Sequence, residues 1–189
     1  LPAGIEGHLA LKPRWPSMFR TYWNKKELYD SRFKNGWYIT GDKATRDEDG
    51  YFWFVGRADD VINTAGHLVG PFEVESALME HEAVAEAAVV GVPDEKRHQL
   101  VKAFVILKQG EEPSRELALD MFRHTIDILA KFKIPRIIEF VTEVPKTLSG
   151  KIRRVELRER EVERQDTKAE APATEFYYWD FPELSSRKN

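Results

Sequence analysis

The sequence predicts an α+β protein, with a small β-barrel-like segment followed by a compact α/β domain that has a three-stranded sheet and flanking helices. Three observations predict it. The first sixty or so residues are rich in Gly, Pro and aromatics, with short apolar runs between turn signals. Beyond Arg57 the apolar runs lengthen and alternate with helical patterns. Two of those runs are apolar on both faces, as in a covered sheet.

In chain order, Gly7 to Leu11 and Gly50 to Gly56 read as strands, and Asp47-Glu48-Asp49-Gly50 as a hairpin turn, because Asp-Gly tolerates positive φ. Val61 to Asn63 and His67 to Val69 flank Thr64-Ala65-Gly66, which predicts a second hairpin. Gly70-Pro71 opens a helix, with Pro at its first position and Glu73 and Glu75 near its positive end. Val74, Ala77, Leu78 and His81 follow the i, i+3, i+4, i+7 spacing. Strands follow at 84–92 and 100–107. Ser114 is the expected N-cap of a helix running to about Ala130. Pro135 breaks the helical pattern, and 136–141 reads as the third strand. Pro145 to Lys151 is a polar loop, and a last helix starts near Ile152. Seven basic and six acidic residues within 151–170 read as a solvated helix face. The aromatics of 176–181 are expected to dock on the surface of a parent protein. The domain reading is therefore 1–58 as the β-rich end of a larger domain, 59–165 as a mobile α+β domain, and 166–189 as a tail.

Composition narrows the function. The chain of 189 residues carries 29 basic and 32 acidic side chains, a net charge of −3, so no global field draws it to nucleic acid or an anionic membrane. With no Cys, disulfides, thiolate metal sites and a cysteine nucleophile are excluded. The longest apolar run, Ala103 to Leu107, is far short of the roughly 20 residues a spanning helix needs. Starting at Leu1 rather than Met, the chain is expected to be part of a longer protein.

Three motifs carry chemistry: Tyr38-Ile39-Thr40-Gly41-Asp42; Gly56-Arg57-Ala58-Asp59-Asp60 followed by Asn63-Thr64-Ala65-Gly66-His67; and Pro145-Lys146-Thr147-Leu148-Ser149-Gly150-Lys151. The last is not a phosphate-binding Walker loop: its first glycine position is Pro145, and Ile152 replaces the Mg²⁺-binding Ser/Thr. In order and spacing, over roughly residues 1 to 165, the three resemble the C-terminal third of the AMP-forming acyl-CoA synthetases of the adenylate-forming superfamily. The stretch Gly70 to Leu78 looks most like the acetyl and medium-chain branch.

The resemblance implies roles residue by residue. Asp42 accepts hydrogen bonds from the ribose hydroxyls of ATP, where a carboxylate beside glycine is otherwise a turn or cap residue. Arg57, alone an ordinary surface ion pair, contacts the ribose near its phosphate. Asp59 is the hinge about which the small domain swings. Thr64, Ala65, Gly66 and His67 line the path of the coenzyme A thiol arm. Many relatives carry Arg two positions after that glycine; Leu68 stands here, and no coenzyme A contact is assigned to it. Lys151 bridges the substrate carboxylate and the α-phosphate as pyrophosphate leaves. Met79, His81 and Val84 match a cation site of related acetyl-CoA synthetases; the alternative is a core histidine without metal.

The function implied is an acid–CoA ligase that activates a short- or medium-chain carboxylic acid with ATP and Mg²⁺ to acyl-AMP, then transfers the acyl group to coenzyme A. The setting implied is cytoplasmic, with neither nucleic acid nor membrane as partner. The chain lacks the phosphate loop and acid pocket that the family places upstream, so alone it is expected to be inactive and to need the missing N-terminal domain. A lysine acetyltransferase and deacetylase acting on Lys151 are further expected partners. An adenylation domain loading a carrier protein, or a non-catalytic docking module, remain open alternatives.

Overall fold

The computed structural model describes residues 1–184. The chain divides into two compact units, Leu1–Asp59 and Asp60–Asn189. The first contains β1 (Gly7–Leu11), α1 (Lys26–Ser31), β2 (Phe33–Lys34), β3 (Trp37–Arg46) and β4 (Phe52–Arg57). All pairings are antiparallel and centre on β3, which carries β1 on one edge and β2 and β4 on the other. The Asp-Gly turn joins β3 to β4 as predicted. Tyr51 N–H donates to Asp47 Oδ1 (2.8 Å) and Gly50 adopts φ +90°. The barrel-like expectation is corrected: among the described residues β1 and β4 do not pair, so the four strands form an open sheet. Its apolar cluster is aromatic. Phe19, Tyr29 and Phe33 each meet Tyr38 with ring centroids 5.3–6.4 Å apart. The Tyr22 and Tyr38 hydroxyls are 2.6 Å apart. Burial and that hydrogen bond push the Tyr38 hydroxyl up to about 12.

The second unit runs β5 (Ile62–Thr64), β6 (His67–Val69), α2 (Pro71–Met79), β7 (Val84–Asp94), β8 (His98–Leu107), α3 (Arg115–Ile128), β9 (Ile137–Phe140), α4 (Arg154–Thr167) and β10 (Glu175–Tyr177). The sheet has six strands, not three. The predicted core of β7, β8 and β9 is present, with β9 parallel to β8. The β5–β6 hairpin joins the end of β8 through Thr64 and His98, and β10 adds antiparallel to the outer edge of β9. The hairpin stands where its turn predicts it, and its place in this sheet is the new feature; β10, only three residues long, is too short to leave an alternating pattern in the sequence.

Both faces of this sheet are covered, as the apolar runs require. On one face Val74 and Leu78 of α2 and Ala118, Met121 and Phe122 of α3 pack with Val89, Ala103 and Val105. On the other, Leu157 of α4 packs with Ala88, Val90, Val92 and Phe104. Ser114 caps α3 as expected, its hydroxyl accepting from Leu117 N–H at 3.1 Å. The aromatic segment after α4 docks on its own sheet: Phe181 and Leu184 are buried in the first face's core.

The solvated reading of α4 holds along most of the helix but fails at one charged position. Glu161 is buried, and with Glu139 of β9 and Glu175 of β10 it encloses the ammonium of Lys102, which is 0% exposed. A count of charges along a helix does not reveal this, because the partners come from three strands.

Candidate functional site

In the first unit the sheet register sets Asp42 of β3 opposite Arg57 of β4. The guanidinium reaches Asp42 Oδ1 from Nη1 (3.2 Å) and Asp59 Oδ1 from Nε (3.3 Å), and Nη1 also donates to the Thr40 carbonyl (3.3 Å). Burial works against its charge, but Asp59 and Asp42 outweigh that and raise its proton affinity further. The guanidinium therefore stays charged, and it is half-exposed, so its fork of donors remains open to a phosphate or ribose. Gly41 makes this layout possible. Its φ is +88°, and an added Cβ would lie 2.9–3.1 Å from the guanidinium atoms. The Thr40 hydroxyl accepts from Asp42 N–H (3.0 Å) and donates to the Leu9 carbonyl (2.9 Å), fixing the strand beneath the carboxylate.

In the second unit Ala65 (φ +51°) and Gly66 (φ +83°) form a two-residue turn with both φ positive, the primed geometry that suits a tight hairpin. Thr64 and His67 pair across it. Ala65 N–H donates to the Arg97 carbonyl (2.8 Å), which ties the turn to the start of β8. Ala65, Gly66, His67 and Leu68 are exposed while Thr64 is buried, so the side of the hairpin available to a ligand is the turn and the His67 strand. The His67 ring stacks on Phe132 at 4.5 Å and 17°. A Cβ on Gly66 would meet nothing within 4 Å, so space is open there.

Lys151 ends a small closed loop. Lys146 and Ile152 bridge at its base, Thr147 N–H donates to the Lys151 carbonyl (2.8 Å), and Gly150 N–H donates to the Thr147 carbonyl (2.9 Å). The Thr147 hydroxyl accepts from Lys151 N–H (3.1 Å) and sits 3.0 Å from the Ser149 hydroxyl. The backbone of Lys151 is thus held while its side chain is exposed. Its ammonium has no hydrogen-bond or ion-pair partner among the described residues. A fixed backbone under a free cation suits a residue that must meet an anion supplied from elsewhere.

The cation candidate divides. The His81 ring is buried, with Nε2 3.1 Å from Asp120 Oδ2 and Nδ1 accepting from Ala83 N–H (3.2 Å). Both nitrogens are engaged, so the ring itself has no ligand position left; main-chain carbonyls of Met79, His81 and Val84 would have to do the work. The described residues contain one other group close enough to hold a metal, Glu139, Glu161 and Glu175, and it does not fit a cation because Lys102 Nζ fills it. Sequence reasoning missed Gly41, Thr147 and this cluster. A lone Lys inside the apolar run Leu100 to Leu107 was the available signal for the last.

The AMP-binding enzyme C-terminal domain family matches residues 73–151. The chain is 56% identical over 174 residues to 4-hydroxybutyrate–CoA ligase 1 of Metallosphaera sedula, covering 91% of this chain and 30% of that protein. It is 53% identical over 155 residues to acetyl-coenzyme A synthetase of Bacillus subtilis, covering 82% and 27%. Among solved structures, the anthranilate CoA ligase AuaEII in complex with anthranoyl-AMP matches with TM-score 0.77 and 44% identity, over 85% of this chain and 31% of that one. The chain thus spans about 30% of the length of the curated relatives it matches. Residues 73–151 form an AMP-binding enzyme C-terminal domain, and the chain belongs, with these CoA-ligase relatives, to the adenylate-forming superfamily.

Proposed function

We propose that the full-length protein is an AMP-forming acid–CoA ligase acting on a short- or medium-chain carboxylic acid. A carboxylate oxygen attacks the α-phosphorus of ATP, pyrophosphate leaves, and an acyl-adenylate results. The coenzyme A thiol then attacks the acyl carbon, giving the thioester and AMP. Splitting the reaction replaces a poor electrophile with one that has a good leaving group. The single observation that carries the reading is the Lys151 ammonium, without a partner among the described residues on a backbone held by Thr147.

Lys151 neutralises charge at the carboxylate and α-phosphate as it develops. Asp42 and Arg57 hold the ribose, Asp59 is the pivot of the second unit, and the Thr64 to His67 hairpin receives the thiol arm. Mg²⁺ arrives with ATP, and no described residue of this chain is assigned to it. A structural cation at Met79, His81 and Val84 belongs to the proposal through their carbonyls, with Met79 the last residue of α2, where the helix dipole is negative. Acetylation of Lys151 by an acetyltransferase, reversed by a deacetylase, would remove the charge the first step needs, and the exposure of this side chain supports access. No described helix is long and apolar enough to cross a membrane. A cytoplasmic location is proposed on the resemblance alone. Coenzyme A, rather than a carrier protein, is favoured as acceptor because the matched relatives are named CoA ligases.

Two half-reactions measured on the full-length protein test the reading. Lys151→Ala is expected to slow acyl-adenylate formation about 10²–10³-fold and to spare coenzyme A attack on supplied acyl-adenylate. Gly66→Leu is expected to do the opposite. Equal losses in both steps would overturn these assignments.

A further inference from the structure

Two consecutive carboxylates at the boundary between the units are held by different partners. Asp59, the last residue of the first unit, pairs with Arg57 of β4 (3.3 Å). Asp60, the first residue of the second unit, pairs with Arg158 Nη1 (2.6 Å) and lies 3.7 Å from Arg154 Nη1, both on α4. The Arg154 guanidinium also grips the buried carboxylate of Glu75 on α2, at 2.6 Å and 2.7 Å from Nη2 and 3.1 Å from Nε. Glu75 Oε1 in turn accepts from Val89 N–H of β7 (2.8 Å).

Arg154 is the first residue of α4, where the helix dipole disfavours a cation. Its two carboxylate partners offset that. It also follows Lys151 by three residues, and the intervening chain is tied down: Ile152 bridges to Lys146, and Arg153 N–H donates to the Pro145 carbonyl (2.8 Å). The same helix start thus holds the entry of the second unit at Asp60, the buried Glu75, and the base of the Lys151 loop.

We propose that Asp60, Arg154, Arg158 and Glu75 form a positioning clamp. It welds the first residue of the second unit to α4 and so confines the pivot to the link between Asp59 and Asp60. Lys151 is carried as a rigid extension of that link. Asp60 is a positioning residue for Lys151, one that touches no substrate. The inference rests on the reading of Asp59 as the pivot and Lys151 as the adenylation cation. The coenzyme A hairpin does not need the clamp, because β5 is anchored separately: Thr64 pairs with His98, and Asn63 N–H donates to Gln99 Oε1 (2.8 Å). Loosening the clamp therefore blurs the position of Lys151 more than that of the hairpin.

The experiment compares Asp60→Asn, Arg158→Gln and the double variant of the full-length protein in both half-reactions, with Lys151→Ala alongside. Each single variant is expected to slow adenylation about tenfold, a loss typical of small misplacements of a positioned group. Thioester formation from supplied acyl-adenylate should change less than about threefold, and the double variant should be no worse than about the singles, since both remove one contact. Arg158→Gln leaves Arg154 with Glu75 and guards against an Asp60 variant that fails to fold. Equal loss in both half-reactions would make the cluster merely structural, and normal adenylation in both single variants, with Lys151→Ala inactive, would overturn the clamp alone. Normal adenylation in Lys151→Ala would overturn the underlying reading, and the clamp with it.

Discussion

Replacing Lys102 with Met should cost the second unit more than any surface substitution in the chain. Around its ammonium, Glu139 Oε2 lies at 2.6 Å and Glu161 Oε2 at 2.8 Å, and Glu175 accepts a short hydrogen bond. Glu139 and Glu175 stand directly opposite each other in the β9–β10 register, a like-charge pairing that repels unless a cation intervenes. Two further cations share the load: Arg160 reaches Glu139 (2.6 Å), and Arg164 reaches Glu161 (2.7 Å) and Glu175 (2.9 Å). Three carboxylates thus balance three cations. Met fills the same volume but leaves one carboxylate uncompensated inside the protein. Glu139 Oε2 already has no hydrogen bond and depends on the lysine's charge. Removing one partner of a buried ion pair costs about 3–5 kcal/mol. For a unit of this size that corresponds to a fall of roughly 10–20 °C in unfolding temperature. Thermal and urea unfolding of wild type and Lys102→Met measure it. Adding Glu139→Gln to Lys102→Met should restore part of the loss by removing the orphaned charge. A single-variant loss under about 1 kcal/mol, or a double variant no more stable than the single, would refute the account.

The same cluster sets a pH response. Burial would raise the Glu175 carboxyl, but hydrogen bonds from Arg164, Lys102 and Tyr177 outweigh it and hold the group down at about 2 against an ordinary 4.5. Because the folded value is depressed, the ionised form stabilises the fold above about 4.5, and that contribution fades as pH falls through about 2. Glu175→Gln should therefore be less stable at neutral pH and show a flatter stability curve between those values. Urea titrations at stepped pH check this, and parallel curves would count against it. At the proposed nucleotide site, Gly41→Ala puts a methyl group where the Arg57 guanidinium lies and strains a residue at φ +88°. We expect roughly 1–2 kcal/mol of destabilisation and about a tenfold rise in KM for ATP, one lost charge-assisted contact being worth about that much. Unchanged KM in steady-state assays of the full-length protein would remove Arg57 from the ribose role.

Elements whose cause is local were legible. Ser114, Gly70-Pro71 and Asp49-Gly50 each act through a cap or turn formed within a few residues, and each stands where expected. The apolar runs of β7 and β8 reported a sheet covered on both faces, because burial on both sides removes alternation. What failed was non-local. β10 pairs with β9 across more than thirty residues and presents only Glu175, Phe176 and Tyr177 as its pattern. Phe176 packs against one core and Tyr177 against the other, but three residues are too few to show a period. The barrel expectation failed because closure depends on whether two edge strands meet, which the strands' own sequences do not encode.

The site divides along the same line. Gly66 and Lys151 stand out through the resemblance of their motifs to a known family; by type alone one reads as a turn glycine and the other as a solvated lysine. The residues that position them do not stand out. Nothing in Asp60 distinguishes it from Asp59 in the sequence, yet their carboxylates have separate fates, one on β4 and the other on α4. Arg154 reads locally as a poor choice for a helix start, and it becomes intelligible only with Glu75, which lies 79 residues earlier. A residue that opposes its local preference is therefore the sequence trace of a long-range partner. Lys102 within an apolar strand is the second instance. In both places the locally unfavourable cation is matched by buried carboxylates from other elements, and the two clusters fasten opposite ends of α4: Arg154 and Arg158 to the entry of the unit, and Arg160 and Arg164 to its last strands. Ion pairs along its length thus tie α4 to the chain entry, to α2 and to the outer strands, which resists its shifting within the unit. That rigidity is what a lysine on the loop before it requires if swinging the unit is to deliver its charge to a fixed point.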